Sequence, residues 1–113
     1  MHVLVADDDP LCCVLLRELL RSFGHDCVAV HDGNAAWSHL LADGADVVIS
    51  DWQMPGLDGI ELCQQVRTHP EIAYPYFILL TGRGDRDGVL TALRAGVDDH
   101  MTKPLDLGQL EAR

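Results

Sequence analysis

Apolar residues in this chain occur in short continuous runs separated by longer stretches with helical spacing. Five runs predict strands at residues 3–6, 28–30, 47–49, 77–80 and, more weakly, 97–102. The first, third and fourth runs are almost entirely apolar, as expected of parallel strands that are covered on both faces. The pattern therefore favours a buried sheet whose strands are joined by helices.

The stretches between the runs predict four helices and the beginning of a fifth. The first covers residues 11–23, with Asp9 as its N-cap and Pro10 as its first helical residue. Gly24 follows, where a left-handed C-cap is expected. The residues expected to face the core from this helix are Cys12, Leu15, Leu16, Leu19 and Phe23.

The next three helices are predicted at residues 34–42, from a capping box at 58–61 toward 69, and at 86–95. A fifth begins with a capping-box pattern at 106–109 and meets the chain end at Arg113 without a stop signal. We therefore expect one domain over residues 1–113, cut from a longer protein within a truncated last helix. The strand–helix alternation predicts an α/β fold with a parallel sheet and helices on both faces.

Composition and charge narrow the possible functions. Eight basic and 18 acidic residues among 113 give a formal net charge of −10, which disfavours direct binding to nucleic-acid phosphates. No apolar run approaches the ~20 residues of a membrane-spanning helix, and no signal peptide is visible.

The four cysteines lack Cys-x-x-Cys spacing, so we expect buried thiols in a reducing cytoplasm. Five histidines without metal-ligand spacing are expected at the surface: His2, His25, His31, His39 and His69.

Charged and hydroxyl side chains follow the predicted strands, at the edge where parallel α/β sheets place their sites. Asp7 and Asp8 follow the first strand, Asp51 the third, Thr81 the fourth and Lys103 the fifth. Two carboxylates ~4 Å apart repel by about 4 kcal/mol at an effective dielectric of about 20. A divalent cation removes that repulsion, and an all-oxygen ligand set suits Mg²⁺, with Mn²⁺ as a substitute.

One carboxylate of such a cluster can attack phosphorus and form an aspartyl phosphate. The product adds about −1.5 to −2 charges, which a bound cation, the Lys103 ammonium and the Thr81 hydroxyl would stabilise. These parts fit phosphoryl transfer, in which catalysis consists mainly of positioning and charge stabilisation.

Four motifs at these strand ends resemble the receiver domain of two-component response regulators. They are VADDDP at residues 5–10, SDWQMPGLDG at 50–59, LTG at 80–82 and TKP at 102–104. The similarity spans the whole chain and implies a doubly wound, flavodoxin-like three-layer sandwich with the strand order 2-1-3-4-5. It also implies a cis peptide bond between Lys103 and Pro104.

The resemblance implies roles for the acidic residues. Asp51 would accept a phosphoryl group from a phosphohistidine. Asp8, Asp51 and the backbone carbonyl of Gln53 would bind Mg²⁺ directly, whereas Asp7 would act mainly through a metal-bound water.

The same resemblance assigns Thr81 and Lys103 to two phosphoryl oxygens and places tuning residues near them. Family members usually have Tyr or Phe three residues before the lysine, as a ring that turns inward on activation. This chain has His100 there, and its ring is able to titrate near neutral pH. Gln53 and Arg83 lie two residues beyond the acceptor and the threonine, where they flank the attacking water. We expect Arg83 to shield the site and slow hydrolysis.

Three functions remain open from the sequence. The first is a phosphoacceptor switch, not a turnover enzyme, with a sensor histidine kinase or phosphotransfer protein as donor and an output domain as target. The second is an Mg²⁺-dependent phosphohydrolase that acts on small phosphoesters through an aspartyl phosphate. The chain lacks the Asp-x-Asp-x-Thr motif that haloacid-dehalogenase-like phosphatases carry after the first strand. The third is an interaction scaffold without chemistry; the presence of all five expected site residues favours the first function.

Overall fold

The architecture is a parallel sheet with helices on both faces, as the strand–helix alternation predicted. The computed structural model describes residues 1–73, 75–82 and 86–103, with the backbone alone for 86–90. Its strands are β1 (His2–Ala6), β2 (Asp26–Val30), β3 (Val47–Asp51), β4 (Tyr76–Thr81) and β5 (Asp99–Thr102). Neighbouring strands all pair in parallel in the order β2-β1-β3-β4-β5, which confirms the doubly wound, flavodoxin-like topology.

The helices in the described residues are α1 (Pro10–Ser22), α2 (Gly33–Ala42), α3 (Gly59–Thr68) and α4 (Arg86–Ala95). The predicted cap of α1 is confirmed, because an Asp9 carboxylate oxygen accepts a 3.0 Å hydrogen bond from the Leu11 N–H. The predicted capping box of α3 is confirmed by reciprocal bonds of 2.8 and 3.1 Å between Asp58 and Glu61. Gly24 follows α1 with a φ of 85°, a left-handed conformation that glycine adopts without steric cost.

Alternate residues of the inner strands pack on opposite faces of the sheet. Leu4 and Ala6 of β1 pack with α2, α3 and α4, whereas Val3 and Val5 pack with α1. Both faces of β1 are therefore covered, and β3 and β4 divide their side chains between the same two clusters. This two-sided burial explains why the three strands have almost continuous apolar sequences.

Only part of the predicted stripe of α1 packs against the sheet, because Leu16 is buried and Cys12 and Leu19 are partly buried against the same cluster. The buried residues of α1 are Cys13, Leu16 and Leu20, whereas Leu15 and Phe23, which were expected in the core, are 62% and 38% exposed. That part of the prediction was wrong because apolar residues occur on nearly every side of this helix, so spacing alone does not determine its rotation.

Several strands extend beyond their apolar runs. β1 begins at His2 and β2 at Asp26, because the backbone pairing between β1 and β2 continues to these two polar residues. β5 is shorter than predicted and begins at Asp99. The preceding Val97 is buried, but its N–H donates to the Ala92 carbonyl at the end of α4 and therefore makes no strand pair there.

No helix in the described part of the chain is long and apolar enough to cross a membrane. The predicted fifth helix, the Lys103–Pro104 bond and Arg83 lie outside the described residues.

Candidate functional site

Three carboxylates meet where β1 and β3 end. Ala6, the last residue of β1, lies opposite Ser50 of β3, so the residues that follow β1 emerge beside Asp51. One oxygen from each of Asp7, Asp8 and Asp51 lies within 4.8 Å of the others. The fold therefore brings together the three carboxylates that the strand-end pattern singled out.

Lys103, which follows β5, places its ammonium group next to these carboxylates. Lys103 Nζ donates to Asp7 Oδ2 at 2.9 Å and lies 3.3 Å from Asp51 Oδ2. The lysine backbone is held by β4, because its N–H donates to the Thr81 carbonyl at 2.8 Å. The Asp7 side chain is 0% exposed, against 15% for Asp51 and 30% for Lys103. The Asp7 carboxylate is thus fully buried, whereas the Asp51 carboxylate is partly exposed to solvent.

Burial and charge affect the two carboxyl groups differently. Burial raises the pKa of Asp7, but the hydrogen bond from the Asp9 N–H and the Lys103 contact outweigh it, so the pKa lies below its ordinary value. Burial and the charge of Asp7 raise the pKa of Asp51 above its ordinary value, against the opposing effect of Lys103. Burial lowers the pKa of Lys103, but its contacts with both carboxylates outweigh that effect and leave it raised. The negative charge at this edge therefore exceeds what one lysine neutralises.

Thr81 lies at the end of β4, beside this cluster. It is 3% exposed, and its hydroxyl donates to the Met101 carbonyl at 3.4 Å, a long hydrogen bond. In the register of β4 and β5 Thr81 lies opposite Thr102, so Lys103 follows directly. The hydroxyl and the ammonium are thus anchored to the same pair of strands.

His100 lies on β5 and Gln53 in the loop after β3. His100 is opposite Leu79 in the sheet and partly buried; since Leu79 belongs to the core cluster beneath α3 and α4, the imidazole projects toward that face. Gln53 is exposed in the loop that follows β3.

The loop after Asp51 is held tightly against the strand, which sequence reasoning did not single out. Trp52 accepts a 2.8 Å hydrogen bond from the Gly59 N–H and donates a 3.1 Å bond to the Leu80 carbonyl. A Cβ atom on Gly59 would overlap the Asp51 carbonyl oxygen and lie 2.6 Å from Leu79 Cδ1. The signal for this close approach was the glycine directly after the helix cap Asp58.

The thiols of Cys12 and Cys13 and the imidazole of His31 lie next to Asp7. The Cys13 thiol donates to the Asp7 carbonyl at 3.2 Å, and His31 Nδ1 lies 3.3 Å from the same oxygen. Burial, together with a hydrogen bond to the Asp7 side chain and its charge, raises the pKa of Cys12 to about 12. All four cysteines are free, as expected, but two of them contact the acidic cluster rather than serving only as apolar filling.

A family profile described as the response regulator receiver domain matches residues 3–113. The chain therefore belongs to this family, whose members are phosphoacceptor switches in two-component signalling. The resemblance drawn from the four motifs is confirmed.

Curated relatives support the same assignment. The phosphate regulon transcriptional regulatory protein PhoB of Rhizobium meliloti is 35% identical over 111 residues, which are 98% of this chain and 49% of that protein. The alkaline phosphatase synthesis transcriptional regulatory protein PhoP of Bacillus subtilis is 32% identical, over 98% of this chain and 45% of that protein. The chain spans about half the length of these relatives.

Solved structures share the fold closely. The receiver domain of the Francisella response regulator 1452 is 31% identical with a TM-score of 0.91, over 99% of this chain and 91% of that one. The receiver domain of a sensor histidine kinase from Pseudomonas aeruginosa is 27% identical with a TM-score of 0.86, over 98% and 91% of the two chains. In that structure a magnesium ion is coordinated in the active-site cleft.

Proposed function

We propose that this chain accepts a phosphoryl group on Asp51 from the phosphohistidine of a sensor histidine kinase or phosphotransfer protein. The observation that carries the proposal is the pairing of Lys103 with both Asp7 and Asp51 at 2.9 and 3.3 Å. The ammonium approaches Asp51 from the side of the buried Asp7 and leaves the acceptor partly open to a donor. The Asp51 carboxylate is therefore available as a nucleophile, and the Lys103 ammonium is positioned to stabilise the aspartyl phosphate that forms.

Asp7, Asp8 and Asp51 fit a magnesium ion. Their oxygens converge within 4.8 Å, and an all-carboxylate set with solvent access matches the preference of Mg²⁺ for oxygen ligands and retained waters. We assign Asp8, Asp51 and the Gln53 backbone carbonyl as direct ligands and Asp7 as a ligand through water. Bound Mg²⁺, for which Mn²⁺ can substitute, would supply positive charge to the phosphoryl oxygens; the magnesium in the Pseudomonas aeruginosa relative supports this assignment.

The transfer step needs no other protein nucleophile. An Asp51 carboxylate oxygen forms a bond to phosphorus as the bond from phosphorus to the donor imidazole nitrogen breaks, and the imidazole leaves with the electron pair of that bond. Lys103 moves its ammonium from the carboxylates toward a phosphoryl oxygen. Thr81 exchanges its 3.4 Å hydrogen bond with the Met101 carbonyl for another phosphoryl oxygen.

The movement of Thr81 provides the conformational signal. Because its hydroxyl bond in the described state is long, the new bond to phosphate competes effectively with it. His100 lies one residue before Met101 on β5, and we propose that its ring follows Thr81 as the usual aromatic residue does in this family. Gln53 and Arg83 are proposed to tune the phosphoryl lifetime.

The output of the switch lies in a partner or in a further part of the protein. The matched relatives are named as transcriptional regulatory proteins and are about twice as long as this chain, which supports an output domain elsewhere in the full-length protein. With a net charge of −10, the receiver itself is proposed to make no direct nucleic-acid contact and to work in the cytoplasm, where its thiols stay reduced.

Intact-mass measurement after treatment with a small phosphodonor and Mg²⁺ tests the proposal. One added phosphoryl group is expected, and it should be absent from Asp51→Asn and from samples with EDTA. An adduct that persists in Asp51→Asn would contradict the acceptor assignment. Sustained turnover of a phosphoester panel without a stable adduct would instead support the phosphohydrolase alternative.

A further inference from the structure

Two histidine side chains meet at the end of the sheet opposite the acidic cluster. His2 is the first residue of β1, and His39 lies near the end of α2. Their Nε2 atoms are 3.2 Å apart, and the ring centroids are 5.4 Å apart at an interplanar angle of 34°. Both residues are partly buried, at the edge of the core. The pair is formed by the fold, since the two residues are 37 positions apart.

The separation of the two nitrogens suits a pair of ligands on one ion. Zn–N bonds of about 2.0–2.1 Å in tetrahedral geometry place two ligand nitrogens roughly 3.3–3.4 Å apart. The observed 3.2 Å is close to that value, so both nitrogens are near enough to bind one ion once the rings turn to direct their lone pairs at it. The backbone distance between β1 and α2 need not change.

Two carboxylates add negative charge near the histidine pair. In the observed hydrogen bond one Nε2 carries a proton, so both Nε2 atoms can ligate an ion only after that ring's proton moves to Nδ1. Asp43 Oδ2 lies 3.8 Å from His39 Nδ1, on the ring nitrogen that does not face His2. Metal-binding imidazoles commonly have such a carboxylate on their second nitrogen. Asp46 brings further negative charge, because its Oδ2 accepts a 2.8 Å hydrogen bond from the His2 backbone N–H.

We propose that His2 and His39 form a binding site for a divalent transition-metal ion, with Zn²⁺ as the expected ion and water in its remaining coordination positions. Imidazole favours zinc, copper and nickel, whereas magnesium favours oxygen ligands. The site is therefore chemically distinct from the acidic cluster. At about 3.3 Å per strand residue, it is also roughly 15 Å from that cluster along β1. A bound ion would join the start of β1 to α2.

Titration calorimetry with Zn²⁺ on the full chain, with excess Mg²⁺ and reduced thiols, tests the site. One zinc ion is expected, and His2→Asn or His39→Asn should each weaken binding at least about tenfold, with a smaller loss for Asp43→Asn. His31→Asn is the matched control. His31 Nδ1 lies 3.7 Å from the Cys13 sulfur, so this residue belongs to a competing imidazole–thiol pair that could also bind zinc. This variant should bind zinc as the wild type does.

Equal zinc affinity in the wild type and His39→Asn would overturn the proposal, as would a loss confined to His31→Asn or the absence of binding. Thermal unfolding gives a second readout, because zinc should raise the Tm of the wild type by mass action and leave that of His39→Asn unchanged. If a variant fails to fold, the imidazole NMR signals of the wild type decide the question. Zinc must shift those of His2 and His39, and unchanged signals refute the site.

Discussion

The Lys103 ammonium lies 2.9 Å from Oδ2 of Asp7, a carboxylate whose side chain is 0% exposed. These residues are 96 positions apart, and β1 and β5 are separated by two other strands in the sheet. The contact therefore depends on the positions of β1, β3, β4 and β5 in the sheet. Lys103 is also the cationic residue that pairs with the buried Asp7 carboxylate among the described residues.

Removal of the lysine charge should destabilise the metal-free protein. In Lys103→Met the Asp7 carboxylate stays buried without its cation, and we expect the free energy of unfolding to fall by about 2 kcal/mol. This is below the cost of breaking a fully buried pair because Lys103 is partly exposed. Urea unfolding with and without Mg²⁺ measures the effect, and Mg²⁺ should restore part of the loss. Lys103→Arg, which keeps the charge, is the control; equal stability of the Met variant and the wild type would contradict the expectation.

A methyl group at Gly59 should disturb the acceptor directly. The Cβ atom of Gly59→Ala would overlap the Asp51 carbonyl oxygen, so either the strand end or α3 must shift, at a cost of about 1–3 kcal/mol. We expect slower phosphoryl acceptance by intact mass as well as lower stability. Gly44→Ala is the control, because its φ of 69° strains a side chain with nothing within 4 Å of the new atom. If both variants accept phosphoryl groups at the wild-type rate, the loop contact does not position Asp51.

The Cys12 thiol should react slowly in the folded protein. Burial and the contact with Asp7 raise its pKa to about 12, and only the thiolate is an effective nucleophile. Alkylation by iodoacetamide near neutral pH should therefore be at least about a hundredfold slower in the native chain than in urea. Fragment mass spectrometry assigns the modified residue. Rapid native labelling of Cys12 would show that Asp7 does not suppress its ionisation.

Arg83 should prolong the phosphorylated state. A long side chain two residues beyond Thr81 is proposed to obstruct the path of the attacking water, so Arg83→Ala should shorten the lifetime of the phosphoryl adduct several-fold. The decay of the adduct mass after donor removal measures this lifetime. Arg21→Ala changes the net charge equally on the exposed end of α1 and should leave the lifetime unchanged. An unaltered lifetime in Arg83→Ala would remove this role.

The strand–helix alternation and the acidic residues at strand ends were predictable from the sequence, whereas the strand order that makes β1 and β3 neighbours came from the family resemblance. Apolar runs mark strands buried on two faces, and the C-terminal ends of parallel strands lie at one edge. Asp7 and Asp51 therefore had to approach each other once β1 and β3 were neighbours. The helix caps at Asp9 and Asp58 were equally local, since each depends on a backbone N–H only two or three residues away.

Features that depend on rotation or on distant contacts were not predictable. The face of α1 that packs inward is selected by the shape of the sheet, which is why Leu15 is exposed and Leu20 is buried. The contact between His2 and His39 likewise depends on where α2 crosses the start of β1, and no spacing along one helix or strand encodes it.

The order of the strands has a consequence for protein synthesis. The ribosome makes Asp7, Asp8 and Asp51 before it makes Lys103, which follows β5. Until β5 pairs with β4, the nascent chain holds converging carboxylates without their ammonium partner, and their repulsion opposes closure of that edge. Docking of β5 thus completes both the described five-stranded sheet and the proposed acceptor site, so we expect no assembled acceptor before β5 has paired with β4.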